Sequence, residues 1–120
     1  MYPPVYDLVE ASENVTELLG NPPRFYAFGD APQGVVMPYA VWQVVAGSPM
    51  NYLGEVPDAD SVLIQIDVYA AESRTCRNVA FAIRDAVEPA AYVTSWRGEM
   101  RESETREYRT SFDVSFITVR

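Results

Sequence analysis

Residues 61–88 constrain the fold more than any other part of this chain. In residues 61–70, Val62, Ile64, Ile66 and Val68 alternate with mixed side chains, which is the period-two pattern of a strand with one buried face. In residues 72–88 five apolar side chains fall on one helical arc before Pro89. These are Cys76, Val79, Ala80, Ile83 and Val87. The strand pattern at 61–70 and the helix pattern at 72–88 together predict a helix packed against a sheet.

The remaining segments extend this sheet and add a second helix. Residues 4–19 predict a broken amphipathic helix, in which Ser12 caps the second turn, and Gly20-Asn21-Pro22-Pro23 ends it. We expect strands at 24–28, 38–46, 92–101 and 108–119, a charged hairpin tip at 102–107 and a long loop at 47–60. The pattern predicts one α+β domain over residues 1–120, with a mostly antiparallel sheet of four to five strands and two helices on one face. The other face must meet solvent or a partner.

The composition excludes most kinds of catalytic site. All nine basic residues are Arg, there is no Lys or His, and Cys76 is the single cysteine. Histidine metal sites, Ser–His–Asp and Cys–His triads and lysine Schiff bases are therefore impossible, and an internal disulfide cannot form. The glycines do not form a phosphate-binding loop, so no nucleotide cofactor is expected.

The chain carries a net charge of −8. This charge disfavours a sequence-independent grip on DNA, which proteins bind chiefly through Lys and Arg. It suits a protein that lets DNA pass without holding it, although acidity that only maintains solubility is the simpler alternative. The start of the chain lacks a signal peptide, and its apolar runs are too short to span a membrane, so we expect synthesis in the cytosol.

Two sets of carboxylates are the candidates for metal or acid–base chemistry. Asp58 and Asp60, with Glu55 nearby, could reach one hard cation, but such spacing in an acidic loop also arises by chance. Asp67 lies inside the strand at 61–70, where it needs an Arg partner if buried, or else is half exposed and paired across the sheet. A small metal-dependent hydrolase using these three Asp residues therefore stays open as a minor alternative.

Three segments are candidates for subunit or partner contacts. Phe81 lies about 140° from Cys76 on the helical wheel, with Arg77 and Arg84 nearby, and is either an exposed oddity or an interface anchor. The tip carries Arg101, Glu104 and Arg106 and either protects a sheet edge or docks into a complementary partner. The 47–60 loop, with Met50, Tyr52 and Leu53, is a candidate element facing a partner or a channel.

Five stretches of the chain, in this order and spacing, resemble one protein family. They are Pro4-Val5-Tyr6-Asp7-Leu8; Arg24-Phe25-Tyr26; Ala31-Pro32-Gln33-Gly34 followed by Pro38-Tyr39-Ala40-Val41-Trp42-Gln43; Gln65-Ile66-Asp67-Val68-Tyr69-Ala70; and Arg109 through Phe112-Asp113-Val114-Ser115-Phe116. The family is the small tail-completion, or tail-terminator, proteins of bacteriophages with long non-contractile tails.

The resemblance implies a structural role in the virion and no catalytic residues. Members of this family assemble as a ring, commonly a hexamer, on the head-proximal end of the tail tube. The ring stops tube polymerisation, offers the surface that the head connector or stopper protein joins, and passes DNA through its lumen. Other head–tail connector proteins, such as a stopper, and a host-side interaction module of similar fold remain alternatives.

Overall fold

The computed structural model describes residues 3–51 and 53–120. Over these residues the chain forms an α+β structure with one five-stranded sheet and helices on one of its faces, as the sequence predicts. Its elements, in chain order, are α1 (Val5–Glu10), α2 (Glu13–Leu19), β1 (Phe25–Ala27), β2 (Tyr39–Pro49), β3 (Ala59–Ala70), α3 (Ser73–Val87), β4 (Tyr92–Arg101) and β5 (Tyr108–Val119).

The predicted N-terminal helix is broken at Ser12, as expected. The Ser12 hydroxyl accepts a hydrogen bond from the backbone N–H of Val15 at 3.3 Å, which caps the start of α2. Gly20, with φ at 87°, ends α2 in a backbone conformation that side chains with a Cβ rarely adopt. The two short helices bury the side chains Val5, Val9, Val15 and Leu19.

The strand order is β1-β2-β3-β5-β4, and only the β1–β2 pair is parallel. β3 and β5 pair along their whole length, from Ala59 opposite Val119 to Ala70 opposite Tyr108. This register puts the even-numbered residues of both strands on one face, where α3 packs against them. The core therefore lies between that face and the helices.

Cys76 is part of this core, as predicted. Its thiol is buried and donates a hydrogen bond to the backbone oxygen of Val68 at 3.3 Å. Burial raises the pKa of the thiol above its ordinary value, so the reactive thiolate is disfavoured. The residue therefore acts as a small packing group between α3 and β3.

The molecule is elongated, measuring 52 × 29 × 24 Å, with a radius of gyration of 15.2 Å. A compact chain of this length would have a radius of roughly 13.6 Å. The excess arises because β2, β3 and β5 extend beyond the helices at one end of the sheet. We call this extension, residues 45–61 and 117–119, the arm.

The prediction of a loop over all of 47–60 is wrong. Pairing of β2 with β3 continues to Pro49 opposite Asp60, which leaves a connection from residue 50 to residue 58. Gly47, Ser48 and Pro49 have low strand propensity, and for that reason the sequence pattern missed them. Pro49 is tolerated because Met50 donates its N–H to Ala59, so Pro49 faces the outer edge of β2, where no β3 bond needs its missing N–H.

Arg120 holds the 50–58 connection at the far end of the arm. Arg120 donates its backbone N–H to the Asp58 backbone oxygen, and its guanidinium forms an ion pair with Asp60 at 2.9 Å. The hydrogen bond from Arg120 lowers the pKa of the Asp60 carboxyl below its ordinary value.

We predict that Phe112→Ala destabilises the fold by about 3–5 kcal/mol, because it empties a buried site between α3 and the sheet. Urea unfolding followed by circular dichroism measures the loss. Val119→Ala, at an exposed position of the same strand, is the control and should change the free energy of unfolding little. Equal losses in the two variants would contradict this placement of the core.

We predict that Arg120→Gln raises the pKa of Asp60 toward its ordinary value of 3.8. Because the folded-state pKa is lowered, the pair stabilises the fold above the unfolded-state pKa, and this contribution is lost as pH falls through the folded value. Carboxyl chemical shifts followed by NMR between neutral and acid pH measure both titrations. An unchanged Asp60 midpoint in the variant would refute the pairing.

Candidate interaction surfaces

The first surface is a stack of aromatic rings that runs outward from the core on the α3–β4 side. Phe112 of β5 is buried, the Trp96 ring of β4 stacks on it at 4.8 Å, and the Phe81 ring of α3 lies 5.6 Å from Trp96. The Arg84 guanidinium covers Phe81 at 4.7 Å. We call the three rings Phe112, Trp96 and Phe81 the aromatic ladder. Phe81 and Trp96 are 37% and 38% exposed, so Phe81 is the partly covered outer end of the ladder rather than an isolated exposed ring.

The two arginines predicted beside Phe81 have partners within the chain. Arg77 donates to Glu99 of β4 at 2.7 Å, and this ion pair raises the pKa of Arg77 and lowers that of Glu99. Arg84 pairs with Asp85 at 3.0 Å and lies 3.5 Å from Glu88. All of these groups are partly exposed and still reach solvent, so they remain available to a second protein.

The second surface is the arm, which carries exposed apolar side chains. Leu53 is 105% exposed, and Val56, Ile117 and Val119 are also exposed. Met50 is exposed to a smaller degree, and the predicted residue Tyr52 lies outside the described residues. Several exposed apolar side chains on one extension of a molecule are typical of a contact site.

The third surface is the hairpin tip, at the opposite end of the long axis from the arm. Arg101 lies over the Tyr108 ring at 5.4 Å, and Arg109 approaches Glu102 at 3.7 Å. Arg106 adopts a φ of 61° where the chain turns, and its N–H bonds back to the Glu102 oxygen. The structure thus puts the tip, the arm and the aromatic ladder on separate parts of the molecule.

The free edge of β2 is a further surface that the sequence did not indicate. β1 pairs only with residues 40–42, so residues 43–49 have no strand on their outer side among the described residues. A groove of about 550 Å³, lined by Ala27, Phe28, Trp42, Gln43 and Val44, follows this edge. The sequence feature that could have revealed this edge is the run from Tyr39 to Gly54, which contains no charged residue. Strands at the edge of a sheet usually carry charges that prevent pairing with other strands.

The candidate metal-binding carboxylates are not assembled into a site. Asp60 is paired with Arg120, and no group of three or more His, Cys, Asp or Glu side chains in residues 3–51 and 53–120 could hold a metal ion. Asp67 is 7% exposed, and its carboxylate accepts hydrogen bonds from Ser111 at 2.6 Å and Gln65 at 3.1 Å. Its hydrogen-bond partners are neutral groups, so the prediction that a buried Asp67 pairs with an Arg is wrong. Asp67 is buried rather than half exposed, but Ser111 lies opposite it on β5, so the predicted pairing across the sheet is confirmed. On the same sheet face, which carries no helix, Arg97 pairs with Asp113 at 2.8 Å.

Charge is distributed unevenly along the chain. Residues 1–60 contain eight acidic residues and one base, Arg24, whereas residues 61–120 contain nine acidic residues and eight Arg. Asp7, Glu10, Glu13 and Glu17 are all exposed on α1 and α2. The −8 is therefore concentrated on the N-terminal helices and the arm.

None of the helices in the described part of the chain is long and apolar enough to cross a membrane.

Comparison with known structures supports the fold. The chain matches a protein from the virion of a native gene transfer agent particle with a TM-score of 0.79, covering 97% of this chain and 92% of that one. Sequence identity is 15%, so this match establishes the shared architecture. No curated protein sequence matches the chain significantly.

Comparison with protein families gives the identity. The sequence model described as tail completion protein gp17 matches residues 3–119. The match spans nearly the whole chain, and it agrees with the resemblance seen in the sequence. The protein therefore belongs to the tail completion protein gp17 family and is a structural, non-enzymatic component of a phage tail.

Proposed function

We propose that this protein forms a closed ring, of six copies, on the head-proximal end of the tail tube. The ring ends tube polymerisation and provides the surface that the head connector joins. The observation that carries the proposal is an elongated subunit with unlike ends, an apolar arm at one end and a charged tip at the other. A terminator needs such a difference, because it binds a tube on one side and another protein on the other.

The arm is the element proposed to face the tail tube. Leu53 and Val56 are its most exposed apolar side chains, and burying such groups supplies about 25 cal/mol per Å² of apolar area. The acids Glu55 and Asp58 surround them, which gives the contact an apolar centre and a polar rim. A hairpin without a helix layer can reach a neighbouring ring without steric conflict from the rest of the subunit.

The tip is the element proposed to face the head connector. Its charges alternate in sign, with Arg101, Glu104 and Arg106 exposed. Alternating charges give specificity and orientation more than affinity, which suits a joint formed once the tube is complete. DNA is proposed to pass through the lumen without specific binding, since the chain's net charge of −8 repels phosphate.

We predict that Leu53→Asp abolishes tube capping and leaves the ring intact, because it puts a charge into the apolar centre of the tube contact. Purified protein is added to polymerising tail-tube protein of the same particle, and tube lengths are measured by electron microscopy. Wild-type protein should give tubes with one blocked end that stop growing, whereas the variant should leave growth unchanged.

Val36→Asp is the matched control, since it introduces the same charge at an exposed apolar position away from the arm and should still cap tubes. Full capping by Leu53→Asp would refute the role of the arm. If the wild-type ring never blocks tube ends but binds the connector alone, the protein is a stopper rather than a terminator.

A further inference from the structure

One side of the subunit combines aromatic rings with arginines. On α3, Arg74, Arg77 and Arg84 share the exposed face with Phe81, at positions seven and four before it and three after it. The partly exposed Trp96 of β4 extends this face. Exposed Trp, Phe and Arg together are the composition that carries binding energy in protein interfaces. We call this surface the arginine side.

The arginines of this side are only partly neutralised within the chain. Arg74 forms no ion pair among the described residues, whereas Arg77 and Arg84 pair with exposed carboxylates. Exposed ion pairs are weak, so an incoming carboxylate can compete for these guanidinium groups.

The opposite side carries unneutralised acids. Asp7 and Glu10 on α1, and Glu13 and Glu17 on α2, are exposed, and none of them forms an ion pair within residues 3–51 and 53–120. Like charges four residues apart, as at Glu13 and Glu17, destabilise a helix. Cations supplied from outside would relieve this repulsion. We call these four residues the acidic side.

None of the ion pairs among the described residues joins the two sides within one subunit. The Tyr6 ring of α1 stacks on Phe25 of β1, whereas Trp96 belongs to β4, the strand at the other edge of the sheet. Helix α3 lies over β3 and β5 in the middle of the sheet, where α1 and α2 pack against it, and its Arg77 pairs with Glu99 of β4. Two complementary surfaces on opposite sides of one chain form a head-to-tail contact, which is the kind that closes into rings.

We propose that the arginine side of each copy docks onto the acidic side of the next copy, with Phe81 and Trp96 at the centre of the contact. This inference rests on the proposed ring and names the contact that builds it. The occupant is a second copy because Arg74 and the weakly paired Arg77 and Arg84 complement the four acids of the other side, and because a ring uses both sides of every subunit once. The uncovered edge of β2 lies on the same side as α1 and β1, so the contact would also shield it.

The test exchanges charges between the two sides in two variants. Variant one is Glu13→Arg with Glu17→Arg, and variant two is Arg74→Glu with Arg84→Glu. Variant one places two arginines on the acidic side, and variant two places two glutamates on the arginine side. Each variant alone therefore sets like charges against each other at the contact and should remain a monomer. In an equimolar mixture the new arginines of variant one meet the new glutamates of variant two, and the unchanged sides meet as in the wild type, so rings of alternating variants should form. Native mass spectrometry should find three copies of each variant in a restored hexamer.

The control is Glu55→Arg with Glu104→Arg, which makes the same charge change as variant one at the two ends of the long axis and should assemble like wild type. Circular dichroism checks that each variant is folded. Rings formed by either folded variant alone, or folded variants whose mixture stays monomeric, would overturn the proposed contact. A wild-type protein that never forms rings would instead refute the proposed function.

A second measurement needs no substitution. Salt at 1 M shortens the screening length to about 3 Å, so the charged part of the contact should weaken. We expect the concentration at which the wild-type ring dissociates to rise by about tenfold between 0.1 and 1 M salt. A midpoint that salt leaves unchanged would overturn the contact, even if the charge-exchanged variants misfold.

Discussion

The continuous antiparallel pairing of β3 with β5 is the interaction on which the rest of the structure depends. Twelve residues of each strand pair without a bulge, whereas β2 and β4 both shift register along their length. This uninterrupted register keeps Ile64, Ile66 and Phe112 on one face, and α3 can pack only on that face. It also carries both strands beyond the helices, which creates the arm. The core and the principal candidate contact surface thus follow from one strand pair.

The elements that the sequence predicted well are those with a strong local period. Residues 61–70 and 72–88 contain an unbroken alternation and an unbroken apolar arc, and the structure follows both within two residues. The hairpin strands at 92–101 and 108–119 were predicted with their observed bounds. The arm was missed because pairing partners, rather than local propensity, hold Gly47, Ser48 and Pro49 in β2.

The sequence identified residues that could form contacts, but it did not predict which neighbours surround them. Phe81 was found by its position off the apolar arc, yet its contact with Trp96 depends on how far β4 lies from α3, which no local pattern encodes. A buried Asp67 was expected to pair with an Arg, but Gln65 and Ser111, the latter opposite it across the sheet, donate its hydrogen bonds instead. Hydrogen bonds from neutral groups can satisfy a buried carboxylate, so burial alone does not identify its partner.

The acidic residues behind the net charge of −8 are not spread evenly over the molecule. Its acids are concentrated on α1, α2 and the arm, whereas the open face of the sheet pairs Arg97 with Asp113. In the proposed ring the acids of α1 and α2 face the next subunit, whereas the acids of the arm remain free to repel the phosphates of passing DNA. The most direct test of the proposed ring is native mass spectrometry of the purified wild-type protein. The account predicts one main species at six times the chain mass of 13.5 kDa, and a monomer at every concentration would contradict it.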